Sequence, residues 1–471
     1  MGFSSKAVPH RESFTFALIR LTVTTPFVAM AAIALAVFAQ PRLSFAMGDV
    51  GIDSSGFLRE SGQRPDSSSF VVVGPRFETQ GKIVETNVDL KAYAFLQSSA
   101  SITAEAKNLY VATSRSLVPG NQLTIGRRVY DWSTADEVWN MGLWQPRFNW
   151  DPLRPIQVGL TGAFYTYETS EFRFLAFASP MAIPERGSSL YISNGQITSP
   201  SVWFKPLPKE VQLTIGGTTT TVPINYSIQY PTISESVFRP GAGVQARFGG
   251  RTRFWGALAY GVLPANQIDE AADVKLKQAQ YVNATVYPRF LVHQLLTAEA
   301  GYRGKFWSVF GSLNGESPIG ASRSVSPDWL YTPVGPALIS AWGGSLSWRE
   351  GLKVTASYLS VLEKPAARPT LTDIDISFPS RFNYTKAAMI QATWQNRTDF
   401  SYALGWTYDI AYDSGLASAN VFYRPGFSVA PESSTLTFNI GADFISSTTG
   451  KGYIGQYVGN DRMRGGIAYA F

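Results

Sequence analysis

The sequence closes on Asp461-Arg462-Met463-Arg464-Gly465-Gly466-Ile467-Ala468-Tyr469-Ala470-Phe471. Met463, Gly465, Ile467, Tyr469 and Phe471 share one parity and are mostly apolar. Arg462, Arg464, Gly466, Ala468 and Ala470 share the other and are small or polar. Period two marks a β-strand. In a soluble protein such a terminal strand would leave an apolar edge open to aggregation. In a closed barrel no edge remains, and a strand can cross a membrane only in such a barrel, where every backbone polar group is satisfied.

Composition points the same way. A chain of 471 residues suits several domains or one large closed sheet. Charged residues make up 16% and aromatics 14%, whereas soluble domains carry about 25% charged residues. Beyond residue 46 no stretch is apolar for the roughly 20 residues that a membrane helix needs. Low charge, many aromatics and no spanning helix predict an all-β, antiparallel, up-and-down transmembrane barrel. The absence of cysteine excludes disulfides, thiol catalysis and Cys-based metal sites, and suits passage through an oxidising periplasm. Of the formal charge of +6, residues 1–46 supply Lys6, Arg11, Arg20 and Arg42 against Glu12. No basic run suggests nucleic acid.

Residues 1–46 read as a signal peptide, with cations first, an apolar stretch over 26–39 and Ser44-Phe45-Ala46 before the cut. Residues 47–83 are expected to form a flexible periplasmic lead, rich in Gly, Ser and Asp at its start. A short strand at 70–77 would be interrupted by Gly74-Pro75.

The barrel is expected over 84–471. In 84–96 aliphatics hold one parity, while Glu85, Asn87, Asp89 and Lys91 hold the other. Similar alternation recurs at 102–113, 121–130, 157–167, 171–179, 242–249, 253–263, 279–291, 294–312, 340–349, 352–362, 384–395, 399–411, 416–424, 434–446 and 462–471. That makes about sixteen strands, in a range of 14 to 18. Short connections alternate with long ones, and the longest is 180–241. Barrels of the outer membrane have short periplasmic turns and long extracellular loops.

The C-terminal strand also resembles the closing strand of bacterial outer-membrane barrels. That resemblance implies location in the outer membrane of a Gram-negative bacterium, and makes Ile467, Tyr469 and Phe471 a signal read by the barrel-assembly machinery. The strand count resembles that of general porins, in which the loop between the fifth and sixth strands narrows the lumen. On a count of sixteen that loop is 180–241. The family's acidic cluster is missing, since Glu185, Glu210 and Glu235 are scattered, and an outward loop remains equally open.

A second stretch runs from Ile125-Gly126-Arg127-Arg128 through Trp132, Trp139 and Trp144 to Arg147, Trp150 and Asp151-Pro152. It is loosely similar to barrels of the alginate-export type. Trp132, Trp144, Arg147 and Trp150 could bind a sugar, with rings on its faces and a guanidinium on its carboxylate. An aromatic belt at the membrane interface explains the same tryptophans. Arg127 breaks the outward parity of Leu123, Ile125 and Val129, which predicts a bulge or a rim position.

Parity places Arg128, Arg173, Arg247, Arg303, Lys305 and Arg349 in the lumen, with Lys91, Lys107, Lys353 and Arg464. Glu85, Asp89, Glu105, Glu299, Asp409 and Asp443 face the same way. Cations outnumber anions, which predicts a weak anion preference. Catalysis is not expected. The two histidines are His10, in the signal, and His293, read as lying in a periplasmic turn. No cofactor or metal motif is present, and residues 47–83 are too short for a plug domain. The expected function is a pore for small hydrophilic solutes. The alternatives are a dedicated channel for an acidic polysaccharide or other specific substrate, and a non-conducting structural or adhesive barrel. Expected partners are outer-membrane lipid, the assembly machinery and a hydrophilic solute or saccharide, with no nucleic acid and a homotrimer open.

Overall fold

The computed structural model describes residues 47–58, 67–96, 102–187, 190–199, 201, 203–215, 217–249, 253–277, 280–319, 329–331, 334–348, 351–363, 382–395, 399–425 and 435–470. The expected signal peptide, Arg349 and Phe471 lie outside these residues.

Eighteen antiparallel strands form one closed sheet. They are β1 (Met47–Phe57), β2 (Ser67–Gln80), β3 (Val84–Phe95), β4 (Ile102–Thr113), β5 (Asn121–Arg128) and β6 (Leu160–Glu168). There follow β7 (Phe172–Ser179), β8 (Gly241–Phe248), β9 (Arg253–Pro264), β10 (Val292–Arg303), β11 (Trp307–Ile319) and β12 (Ala337–Ser347). The last six are β13 (Leu352–Glu363), β14 (Lys386–Gln395), β15 (Phe400–Asp409), β16 (Ser414–Tyr423), β17 (Thr435–Ser447) and β18 (Arg462–Ala470). Each pairs with its neighbours in sequence, and β18 closes on β1, with Ile467 opposite Ile52 and Tyr469 opposite Val50.

Three differences from the sequence reading raise sixteen strands to eighteen. The expected lead, 47–83, is not a flexible segment; it holds β1 and β2. Its many small polar residues suit a wall that is wet on one side, where only alternate positions need be apolar. Pro75 lies where the β2–β3 ladder skips from Val73 to Arg76, an interruption that suits a residue without an N–H. The expected strand 294–312 is two strands, separated by Gly304-Lys305-Phe306. The expected strand 279–291 is outside the barrel. Tyr281–Arg289 instead joins a second sheet with Glu210–Ile215, Thr218–Ile228, Asp269–Lys277 and Trp329–Tyr331. Connections β7–β8, β9–β10 and β11–β12 build this sheet, over a core of Val222, Ile224, Tyr226, Val282, Ala284 and Val286.

The barrel is apolar outside. Leu258, Leu296, Leu404, Ile440 and Ile467 are all more than half exposed. Near the short turns, rings touch along the wall: Phe254–Tyr302–Trp307, then Trp394–Tyr402–Phe400–Tyr423–Phe438. An apolar band bordered by an aromatic girdle is the surface of a membrane-spanning barrel. Among the described residues no helix is long and apolar enough to cross a membrane.

His293 is not in a short turn. It lies on β10 at the long-loop end, buried, with Nδ1 2.6 Å from Glu316 Oε1.

Candidate functional site

The connection between β5 and β6, residues 129–159, folds into the barrel and, among the described residues, supplies seven of the twenty-one buried residues of its main interior cluster. Departure begins at Gly126, whose φ of +128° is a conformation that favours glycine. The kink turns both following arginines inward, which accounts for the broken parity at Arg127. Arg127 pairs with Glu105 at 2.8 Å, and Arg128 donates to Gln122 and Thr124 at 3.0 Å.

A short helix, α1 (Thr134–Trp139), follows. Ser133 caps it through Asp136 N, and Asn140 ends it in the left-handed region at φ 47°. The Asp136 carboxylate then accepts from Leu143 N and Trp144 N, both at 2.9 Å, which folds the chain back beside the helix. Burial pushes the Asp136 carboxyl up, against the pull of those two N–H groups.

This turn seats three indoles. Trp132 and Trp144 stack with centroids 4.7 Å apart. Trp144 Nε1 donates to Thr297 Oγ1 at 2.9 Å on β10, and Trp139 Nε1 donates to Ser357 Oγ at 3.0 Å on β13. Gly243 on β8 lies opposite Gly261 on β9, and the Trp144 ring fills the notch they leave. Glu299 on β10 accepts from Thr134 N at 2.6 Å, Ser133 Oγ at 3.0 Å, Thr134 Oγ1 at 2.9 Å and Ser312 Oγ at 2.7 Å. The far part of the segment reaches the other wall. Arg154 meets Asp443 at 2.6 Å, and Asp151 meets Arg462 at 2.7 Å.

The expected sugar-binding residues do not form an open cage. Trp132 and Trp144 cover each other's faces and are 1% and 0% exposed. Arg147 grips Glu185 with two nitrogens and donates to Asn140 O at 2.6 Å. Trp150 is half-buried beside Phe148 and Tyr93. The segment that crosses the lumen is 129–159, which with β1 and β2 counted lies between the fifth and sixth strands; from 180–241, Arg186 meets Glu105 on β4 and Trp203 lies over the Arg462 guanidinium on β18.

The expected lumen residues divide by role. Arg173 donates to Gln245 Oε1 at 2.9 Å and lies 3.8 Å from Asp131. Arg247 and Arg303 flank the Trp255 ring at 4.7 and 5.1 Å. With Asp131 and Glu137 they form a cluster of charges within electrostatic reach of one another, a vestibule on the short-turn side of α1. Burial within the barrel pushes the Glu137 carboxyl up to about 8, and Asp131, Asp136 and Glu299 add to the rise. Lys305 sits in the β10–β11 turn rather than on a strand. Three acidic residues are anchors instead of a free lining. Glu299 holds α1; Asp443 holds Arg154, Arg462 and Arg464; Asp409, wholly buried, accepts from Ala411 N in the next turn. Sequence reasoning missed Ser133, Thr134, Asp136 and Glu137, although Ser133-Thr134-Ala135-Asp136-Glu137 carries a helix-start pattern.

No protein-family profile and no curated protein matches this sequence. Solved structures resemble it in fold. OccAB3 from Acinetobacter baumannii is 9% identical over 90% of this chain and 99% of its own, with a TM-score of 0.46. OccK5 (OpdH) from Pseudomonas aeruginosa is 10% identical over 91% and 98%, with a TM-score of 0.43. The outer membrane protein OprD from the same organism is 10% identical over 91% and 93%, with a TM-score of 0.38.

Proposed function

We propose that the protein is a narrow, solute-selective channel of the Gram-negative outer membrane. One observation carries this reading: a closed apolar-walled barrel has its lumen crossed by a segment hydrogen-bonded to inward residues on opposite walls. A wide general pore would not place Trp139, Trp144 and α1 across its lumen. A purely structural barrel has no need of the vestibule of Asp131, Glu137, Arg173, Arg247 and Arg303. In this reading the long loops face outside, residues 1–46 are a cleaved signal, and the strand through Ile467 and Tyr469 directs assembly.

The solutes are small and hydrophilic, and anions are favoured because Arg173, Arg247 and Arg303 share one side of the vestibule. A charge ring of one sign sets selectivity at close quarters. Single-channel recording of the purified protein tests this. Small steps are expected, with a reversal potential on the anion side under a salt gradient. Replacing Arg247 and Arg303 by Gln moves that potential towards zero. Large steps, or a cation-side potential in the unmodified protein, would refute the reading.

A further inference from the structure

The inward segment is held in two different ways, and the difference divides it. From Met141 to Phe148 every residue is buried; from Asn149 to Gln157 every residue is only half-buried. The first part is fixed through Trp144, by its stack on Trp132, the Gly243–Gly261 notch and the bond to Thr297, and it is tied by Asp136 to α1, which Glu299 holds. The second is fixed to the β17–β18 wall mainly by charge. Arg154 Nη2 lies 2.6 Å from Asp443 Oδ1, and Asp151 Oδ2 lies 2.7 Å from Arg462 Nη2. A bond from the Tyr453 hydroxyl to Pro152 O and the packing of Leu153 near Ile454 add to the hold on this wall, while Asn149, Pro155, Ile156 and Gln157 are tied to Arg186, Asn140, Phe148 and Arg147.

We propose that Asp151 and Arg154 form an ionic latch against β17 and β18, and that releasing this latch while α1 stays seated widens the lumen. The proposal rests on the channel reading. Its physical basis is an asymmetry between the two sides of the latch. The wall keeps its aspartate paired when the segment leaves, because Asp443 remains 2.8 Å from Arg462 Nε and 3.2 Å from Arg464 Nε. The departing groups are already partly wet, with side-chain exposures of 25% for Asp151 and 33% for Arg154. On release they regain lumenal water. Separating a buried pair is costly because it strands a charge without solvent; neither side of this latch is stranded. The seat of α1 has no such compensation, since opening it would expose Trp132, Trp139 and Trp144 together. The latch is therefore the part that can open reversibly.

Two readouts on the full-length protein test this separately from conduction. The chain lacks cysteine, so Ser55→Cys provides a single reporter thiol. Ser55 is 6% exposed and lies opposite Arg464. Arg154→Gln and Asp151→Asn remove the latch from the segment side and leave the wall pairs intact; Arg154→Lys keeps the charge. With Arg154→Gln or Asp151→Asn, a charged, membrane-impermeant thiol reagent should label the reporter at least tenfold faster, and mean conductance should at least double. Arg154→Lys should stay near the parent value in both. Unchanged labelling and unchanged conductance overturn the latch and leave the channel standing. Faster labelling in a protein that never conducts keeps the movement and overturns both the channel reading and the claim that release widens a conducting lumen.

Discussion

The indole of Trp144 lies flat on that of Trp132, with planes 3° from parallel and centroids 4.7 Å apart, inside the barrel. Both rings belong to the inward segment, so the stack reports its seating. Truncating a buried aromatic residue costs about 3–5 kcal/mol. Trp144→Ala should lower the unfolding temperature of the detergent-solubilised barrel and abolish the coupled near-ultraviolet circular dichroism of the two indoles. An unchanged near-ultraviolet spectrum would show that the rings are not stacked in solution.

The glycine notch makes a graded prediction. A Cβ on Gly261 would stand 2.9 Å from Trp144 Cζ3, whereas one on Gly243 would stand 3.5 Å from the same atom. Neither glycine is at positive φ, so alanine fits the backbone at both. Overpacking costs about 1–3 kcal/mol. Gly261→Ala should be the more damaging of the two to heat stability and to the Trp132–Trp144 signal. The reverse order would place Trp144 elsewhere.

Glu137 gives the vestibule a pH dependence. Its carboxyl is pushed up to about 8, so below that pH it is neutral and the arginines dominate. As pH rises through 8 it becomes negative beside Asp131, and anion preference should fall. Reversal potentials from pH 6 to pH 9.5 measure this, and Glu137→Gln should flatten the curve. The raised value also means that the folded state holds this proton more tightly than the unfolded chain. Its contribution to stability is full below the ordinary glutamate range and is lost as pH climbs through 8.

Inside and outside can be told apart by charge. Leu404 on β15 is 58% exposed and points to the lipid, whereas Gln391 on β14 points inward. Arginine on the lipid face near the midplane costs about 2–4 kcal/mol. Leu404→Arg should reduce the yield of heat-modifiable barrel on gels, and Gln391→Arg should assemble normally. Equal yields would contradict the assigned faces.

The sequence by itself determined that this is a barrel. Period-two alternation arises because each strand separates lipid from water, and that asymmetry acts locally on residues i and i+2 wherever the strand lies. It was enough for the closing strand, for the face of Leu404 and for the inward parity of Arg173, Arg247 and Arg303. It failed at β1 and β2, where Gly, Ser and Asp blur the alternation, and at Tyr281–Arg289, which alternates equally well in a different sheet. The tertiary structure decided which loop enters the lumen and what its residues do there. Trp132 and Trp144 are spaced like belt residues, and only closure of the wall around them makes a dry interior in which to stack. Thr134 meets Glu299 across 165 residues, and Arg154 meets Asp443 across 289. Contacts at such separations leave no periodic trace, because the partner's position is set by the curvature of the whole sheet rather than by the chain on either side.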